Sequence, residues 1–314
     1  MKAMKHAFLI IAHGKWKQLK ILLNQIDSIN HDIYIHIDAK IKNPPISYLK
    51  ENIKFSNIKI FQKYKVYWGS FELVETELYL LQQSSNTKKY DYYHLLSGMD
   101  MLIKPIKEID NFFERNNGYE FVHFDTNERI KKDKEILRRV KLYHYFTNYR
   151  RGFKYKVINL FFNTLAHVSL FFQQILNIDR TKKLENFEIK YGSQWFSITN
   201  NLVEFILQSK EKIYKIFKYT KCADELFVQS LAYNSKFKKR LFNQNYDDDC
   251  MANVRLIDLK KRSSNGSPYI WTKDDLKEIK ETKCLFARKF DIDRDKEVIK
   301  EILKMNSYDG EYKI

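Results

Sequence analysis

HAFLIIAHGKWKQLKILLNQIDSINHDIYIHIDAK, residues 6–40, decides the fold. The apolar run AFLIIA (7–12), closed by His13 and Gly14, predicts a strand. Trp16, Leu19, Leu22, Leu23 and Ile26 then recur at the helical period, on one side of a helix. Ile33, Ile35 and Ile37 alternate, which predicts a second strand, and the run stops at Asp38. A strand, helix and strand of these lengths form a parallel crossover unit. Sheets built that way bind ligands beyond the carboxyl ends of their strands.

Working outward, IKIFQKYKVYWG (58–69) reads as a strand, and SFELVETELYLLQQS (70–84) as a helix with Ser70 as its N-cap. YDYYHLLSG (90–98) is an apolar strand running into Met99 and Asp100, and EFVHFD (120–125) is another, ending on Asp125. Residues 1–125 therefore read as a nucleotide-binding half, although no G-x-G-x-x-G fingerprint is present. Residues 126–190 read as a basic helical insertion. Residues 191–314 return to β character at KYGSQWFSIT and form a catalytic and acceptor half. The whole of 1–314 is expected to be a single α/β domain with a mixed central sheet flanked by helices.

Apolar residues make up 44% of the chain, which places it among globular proteins. The net charge of +17 is concentrated: residues 129–156 hold 11 Lys/Arg against 2 acids. Such a block attracts phosphates, nucleic acid or an anionic membrane, or is a solvated helix face. Cys222, Cys250 and Cys284 form no C-x-x-C pair, so neither a disulfide framework nor a zinc site is expected. AFLIIA is too short for an export signal. VINLFFNTLAHVSLFFQQIL (157–176) is long enough to span a bilayer but carries Asn159, Asn163, His167, Gln173 and Gln174. Two readings stay open for it, a core helix and an interfacial helix on an anionic membrane. The expected location is cytoplasmic, peripheral on the inner face of the cell membrane through 129–176.

No G-x-S-x-G elbow, phosphate-binding loop or zinc cluster occurs. D-x-D appears at Asp247–Asp249 and Asp291–Asp293, neither at the end of an early strand, so no divalent metal is expected to be required. Without a metal, cations must meet a leaving diphosphate. Arg255, Arg288 and Lys289, each set among apolar neighbours, are the candidates; the alternative is a salt bridge to a structural carboxylate. The stretch KCADELFVQSLAYNS (221–235) sets Asp224 and Glu225 before an apolar run, as helix cap, metal ligands or acid/base groups.

Five blocks in order carry a resemblance: LIIAHGKWKQLKILL with YIHIDAK, VYWGSFELVETELYLL, YYHLLSGMDMLIKP, KYGSQWFSIT with CADELFVQSL, and VRLID with LFARKFD. Together they resemble the core-2/I-branching glycosyltransferases over roughly residues 6–295. The resemblance implies a GT-A-type fold, an inverting mechanism and no metal cofactor. It implies Glu225 as catalytic base, and Arg255 and Lys289, with Arg288 beside them, as cations for the diphosphate of a UDP-sugar. Asp38 matches the uracil contact, and Ala12 and His13 border the base. Ser97, Gly98 and Asp100 match the motif near the sugar, and Trp195 flanks the site. Asp224 is left the role of helix cap beside the acceptor pocket. The implied donor is UDP-N-acetylglucosamine, with UDP-xylose and UDP-glucuronate as alternatives. The implied acceptor is a glycan hydroxyl, free or lipid-linked, joined through a β-1,6 bond. The Lys, Ile and Asn bias points to a bacterial cell-surface polysaccharide. Residues 120–190 depart from the family pattern, so acceptor contacts do not carry over. A basic nucleic-acid-binding protein is the rival class, but no binding module is present and nucleic acid is not an expected partner.

Overall fold

The computed structural model describes residues 3–150, 155–258, 261 and 267–306. The opening unit is formed as its periodicity predicts, by β1 (His6–Ala12), α1 (Trp16–Ile26) and β2 (His31–Ile37). Phe8, Ile10, Ile33, Ile35 and Ile37 meet Leu19, Leu22, Leu23 and Ile26 on one face of the sheet. Ala7, Leu9 and Tyr34, the alternate residues, face the other. Each large apolar side chain buried there contributes roughly 1.5–3 kcal/mol.

Next come α2 (Ile46–Lys50), β3 (Asn57–Phe61), α3 (Glu72–Ser85), β4 (Tyr92–Ser97), β5 (Asp100–Leu102), α4 (Ile106–Arg115) and β6 (Phe121–Val122). The basic block folds into α5 (Asn127–Lys132), α6 (Lys134–Lys141) and α7 (Lys156–Ile175). The chain then adds β7 (Phe196–Thr199), α8 (Asn200–Gln208), α9 (Lys210–Phe217) and α10 (Phe227–Tyr233). It ends in β8 (Arg255–Ile257), α11 (Leu276–Glu281), β9 (Phe286–Arg288) and α12 (Lys296–Met305). The main sheet has the order β3-β2-β1-β4-β7-β6. Its first four strands are parallel, and β7 and β6 are antiparallel to their neighbours. A small sheet, β5-β9-β8, closes one end. The α/β class and the mixed, helix-flanked sheet are as expected.

Two expectations change. The strand predicted over 58–69 stops at Phe61, because side chains on β2 and just beyond it capture the backbone that follows. His36 Nε2 accepts from the N–H groups of Lys63 and Tyr64, and Asp38 from Val66 N–H at 3.4 Å. Ser70 is not the cap of α3, which begins at Glu72 without a side-chain cap. Gly69 turns there with φ +74°, and its carbonyl accepts from Cys222 N–H at 2.9 Å. Cys250 and Cys284, distant in sequence, bring their sulfurs within 3.3 Å; both are free thiols. The predicted loop 261–270 and the basic run 150–156 lie partly outside the described residues.

Candidate active site

The register sets Ala12 beside Ile37 and Ile11 beside Ser97, so the carboxyl ends of β2, β1 and β4 lie next to one another. Asp38 leaves β2 with its N–H bonded to Ala12 carbonyl at 3.0 Å. One carboxylate oxygen accepts from Lys40 N–H at 2.9 Å, and the other pairs with Lys40 Nζ at 3.1 Å. Asp38 thus fixes the wall of this end. His13 follows β1 and is exposed. Lost hydration lowers its pKa, Asp38 opposes that, and the cations Arg288, Lys40 and Lys289 reinforce it.

Ser97, Asp100, Arg288 and Trp195 form one unit. Asp100 accepts from Ser97 N–H at 2.9 Å and from Ser97 hydroxyl at 2.7 Å. Arg288 donates to Asp100 at 2.9 Å and to Ser97 Oγ, and lies 4.6 Å over the Trp195 ring. Gly98 donates its N–H to Ile11 carbonyl at 3.2 Å, tying this turn to β1. Lys289 differs from its neighbour. Its Nζ donates to Ser267, and among the described residues no carboxylate pairs with it. Partial burial, then repulsion from Arg288, lowers its pKa; Asp291 opposes this and Lys15 adds to it. A crowded cation without a directly paired carboxylate suits an anionic ligand.

Arg255 is placed otherwise than the resemblance implies. It is 2% exposed and donates to the carbonyls of Phe196 (2.6 Å), Leu95 (3.2 Å) and Asn253, and to Ser197 Oγ at 3.1 Å. Burial pushes its pKa down to about 9. Neither a diphosphate nor a structural salt bridge explains it: backbone carbonyls and Ser197 engage both terminal nitrogens of the guanidinium, which knits β8 to β4 and β7, while its Nε is left without a partner among the described residues.

The acidic pair also divides differently from its expected roles. Asp224 caps nothing. The helix α10 starts at Phe227 with Leu226 as a cap residue that gives no side-chain bond. Asp224 is buried with one oxygen unpartnered, and burial, then the charge of Glu225, raises its pKa to about 7. Buried Glu77 stands near it, accepting from Gln194 Nε2 at 2.8 Å, and is also pushed up. Glu225 is partly buried, 33% exposed, and pairs with Arg139 at 2.9 Å. Glu225 is therefore the acid of the pair that solvent reaches.

Residues 190–195 bridge the two groups. Gly192 donates its N–H to Glu225 carbonyl at 3.0 Å, and Trp195 lies on Arg288. A Cβ on Gly192 would sit 2.0 Å from His123 carbonyl oxygen, so only glycine fits. Arg139, Glu77 and Gly192 were not foreseen as site residues. The one available signal for Arg139 was α6 itself, whose inward Ile136 and Val140 carry Arg139 toward the core.

Neither D-x-D is a free pair of carboxylates. Asp291 and Asp293 both pair with Lys15 Nζ at 2.9 Å. Asp247 accepts from Asn243, and Asp249 caps the turn at Met251. Among the described residues one group could share a cation: His6, His31 and Asp110, with donor atoms within 4.8 Å of one another. It lies where β1 and β2 begin, opposite the cluster above. Its hydrogen bonding opposes ligation. Arg255 only donates, so Ser197 hydroxyl is free to donate to His94 Nδ1 at 2.7 Å. His94 Nε2–H then faces His6 Nδ1 at 2.9 Å, which leaves the proton of His6 on Nε2, toward Asp110. Burial keeps both rings neutral.

Residues 6–280 match the family model of the Core-2/I-Branching enzyme. The chain belongs to that family, and its fold is of GT-A type. It is similar to the xylosyltransferase sqv-6 of Caenorhabditis elegans, 26% identical over 91% of this chain and 35% of the relative. A xylosyltransferase of Ciona intestinalis is 21% identical over 95% of this chain and 34% of its own length. Human xylosyltransferase 1 is 21% identical over 73% of this chain and 22% of its own. The chain thus spans about a third or less of these relatives.

Proposed function

We propose that this glycosyltransferase moves a sugar from a UDP-sugar to a glycan hydroxyl, with inversion and without a metal cofactor. The observation that carries the reading is Lys289, a half-buried cation that no carboxylate pairs directly among the described residues, where the ends of β1, β2 and β4 meet, beside Arg288 and Trp195. The acceptor oxygen attacks the anomeric carbon as the bond from that carbon to the diphosphate oxygen breaks. Glu225 takes the acceptor proton, Arg139 orients its carboxylate, and UDP leaves with the bonding electron pair. Lys289 meets the charge that grows on the diphosphate, and Arg288 holds Ser97 and Asp100 against the sugar. Both carboxylates of the D-x-D at 291–293 are engaged by Lys15, which supports a cationic rather than a metal-held diphosphate.

Two donors are in view. The five-block resemblance favours UDP-N-acetylglucosamine and a β-1,6 product in a bacterial surface polysaccharide. The relatives' names favour UDP-xylose. A panel of UDP-sugars, read by UDP release with and without EDTA, tests the reading. Turnover of one donor, unchanged by EDTA, is expected. Turnover that depends on Mn²⁺ would remove the metal-free mechanism, and no turnover of any UDP-sugar would remove the donor class.

A further inference from the structure

We propose that α7 is a docking face for an anionic lipid bilayer. This helix is amphipathic in the inverted sense. Val157, Phe161, Val168, Phe171 and Ile175 form one stripe at helical spacing and are 44–76% exposed. Leu160, Phe172 and Leu176 flank them, each more than half exposed. Exposed Thr164 is the polar residue within the stripe, whereas Gln173 and Asn163 turn toward the protein. Gln173 is buried and bonds Tyr143 through both its oxygen (2.7 Å) and its nitrogen (3.0 Å). Asn163 bonds Arg150 at 2.7 Å and the carbonyl of Asn159 at 2.8 Å. Those amides were the reason to doubt contact with hydrocarbon, and the fold turns them away from it. His167 and Gln174 fall at the margin of the stripe.

At 20 residues the helix is about 30 Å long, and its stripe is far more continuous than the scattered apolar residues of an ordinary surface. No helix among the described residues is long and apolar enough to cross a membrane, so α7 lies on the bilayer and does not span it. Charge selects the occupant. Exposed Lys156 opens the helix, and exposed Lys182 and Lys183 follow it. Residues 129–183 hold 14 Lys/Arg against 3 Asp/Glu. A second copy of this chain would set those cations against themselves, whereas anionic headgroups neutralise them. The exposed rings of Tyr145, Tyr149 and Tyr155 suit the headgroup level, with one end apolar and the other wet. This inference deepens the proposed function, on which its account of the acceptor rests: an enzyme lying on the bilayer meets a lipid-linked glycan there. The docking itself does not depend on that reading.

The test is co-sedimentation with vesicles of phosphatidylcholine alone or enriched in phosphatidylglycerol, together with the solution mass of the free protein. Binding to the anionic vesicles, weakened by salt, is expected. The double variant Phe161→Ser/Phe171→Ser should lower partitioning at least about tenfold while melting and UDP binding stay unchanged. No sedimentation with anionic vesicles at low salt would overturn the proposal. A wild-type dimer that the double variant turns into a monomer would overturn it in favour of self-association. UDP-sugar turnover on the same preparations separates the two claims. Vesicle binding without turnover would remove the transferase reading alone, and turnover without vesicle binding would remove this one alone.

Discussion

Arg288 and Lys289 are neighbours in sequence with different jobs, and separate alanine substitutions should part them. Arg288→Ala removes a charge-assisted bond to Asp100 at 2.9 Å, the bond to Ser97 Oγ, and the face contact with Trp195. Losing one partner of a fully buried ion pair costs about 3–5 kcal/mol. Arg288 keeps 20% exposure, and Asp100 retains two bonds from Ser97, so the expected loss is about 2–3 kcal/mol. Lys289→Ala removes the bond to Ser267 and a longer-range attraction to Asp291 while relieving repulsion from Arg288, so stability should change by under about 1 kcal/mol. Its effect should fall on the donor: without the cation, UDP affinity drops about 10–100-fold. Urea unfolding gives the first quantity and calorimetric titration with UDP the second. The reasoning fails if Arg288→Ala unfolds like the parent, or if Lys289→Ala binds UDP as tightly as the parent.

Two further outcomes follow from the packing. Gly192→Ala should cost about 3 kcal/mol or more, the upper end for overpacking, because its Cβ meets backbone and not a movable side chain. Its unfolding curve and turnover should fall together, and an unchanged midpoint with full turnover would contradict the bridging role. Glu120 is buried, accepts from Thr199 N–H and hydroxyl, and has its pKa raised by burial to about 7. Above the ordinary pKa of a glutamate the unfolded chain gives up this proton while the folded chain keeps it. Stability therefore falls as pH rises toward 7, by about 3 kcal/mol in all. Glu120→Gln should flatten that slope in melting curves from pH 5 to 8, and equal slopes would refute it.

Much of this was legible because it is periodic. Alternation at Ile33, Ile35 and Ile37 and the helical spacing of Leu19, Leu22 and Ile26 fix which residues meet, so the strand ends at Ala12, Asp38 and Ser97 could be named. What was hidden depends on contacts across the fold. Nothing local in ANVRLIDL tells that Arg255 is enclosed by carbonyls from two other strands, or that Arg139 reaches Glu225. Asp224 and Glu225 are adjacent, and a short 3₁₀ turn buries one and leaves the other reachable. Periodicity shows that α7 has two faces; it does not say which one the protein covers.

The most direct test of the account is Glu225→Gln, assayed for UDP release from the active UDP-sugar and for UDP binding by calorimetry. The account predicts turnover lower by about 10²–10⁴-fold, with UDP bound as tightly as by the parent. Near-normal turnover in the variant would contradict it.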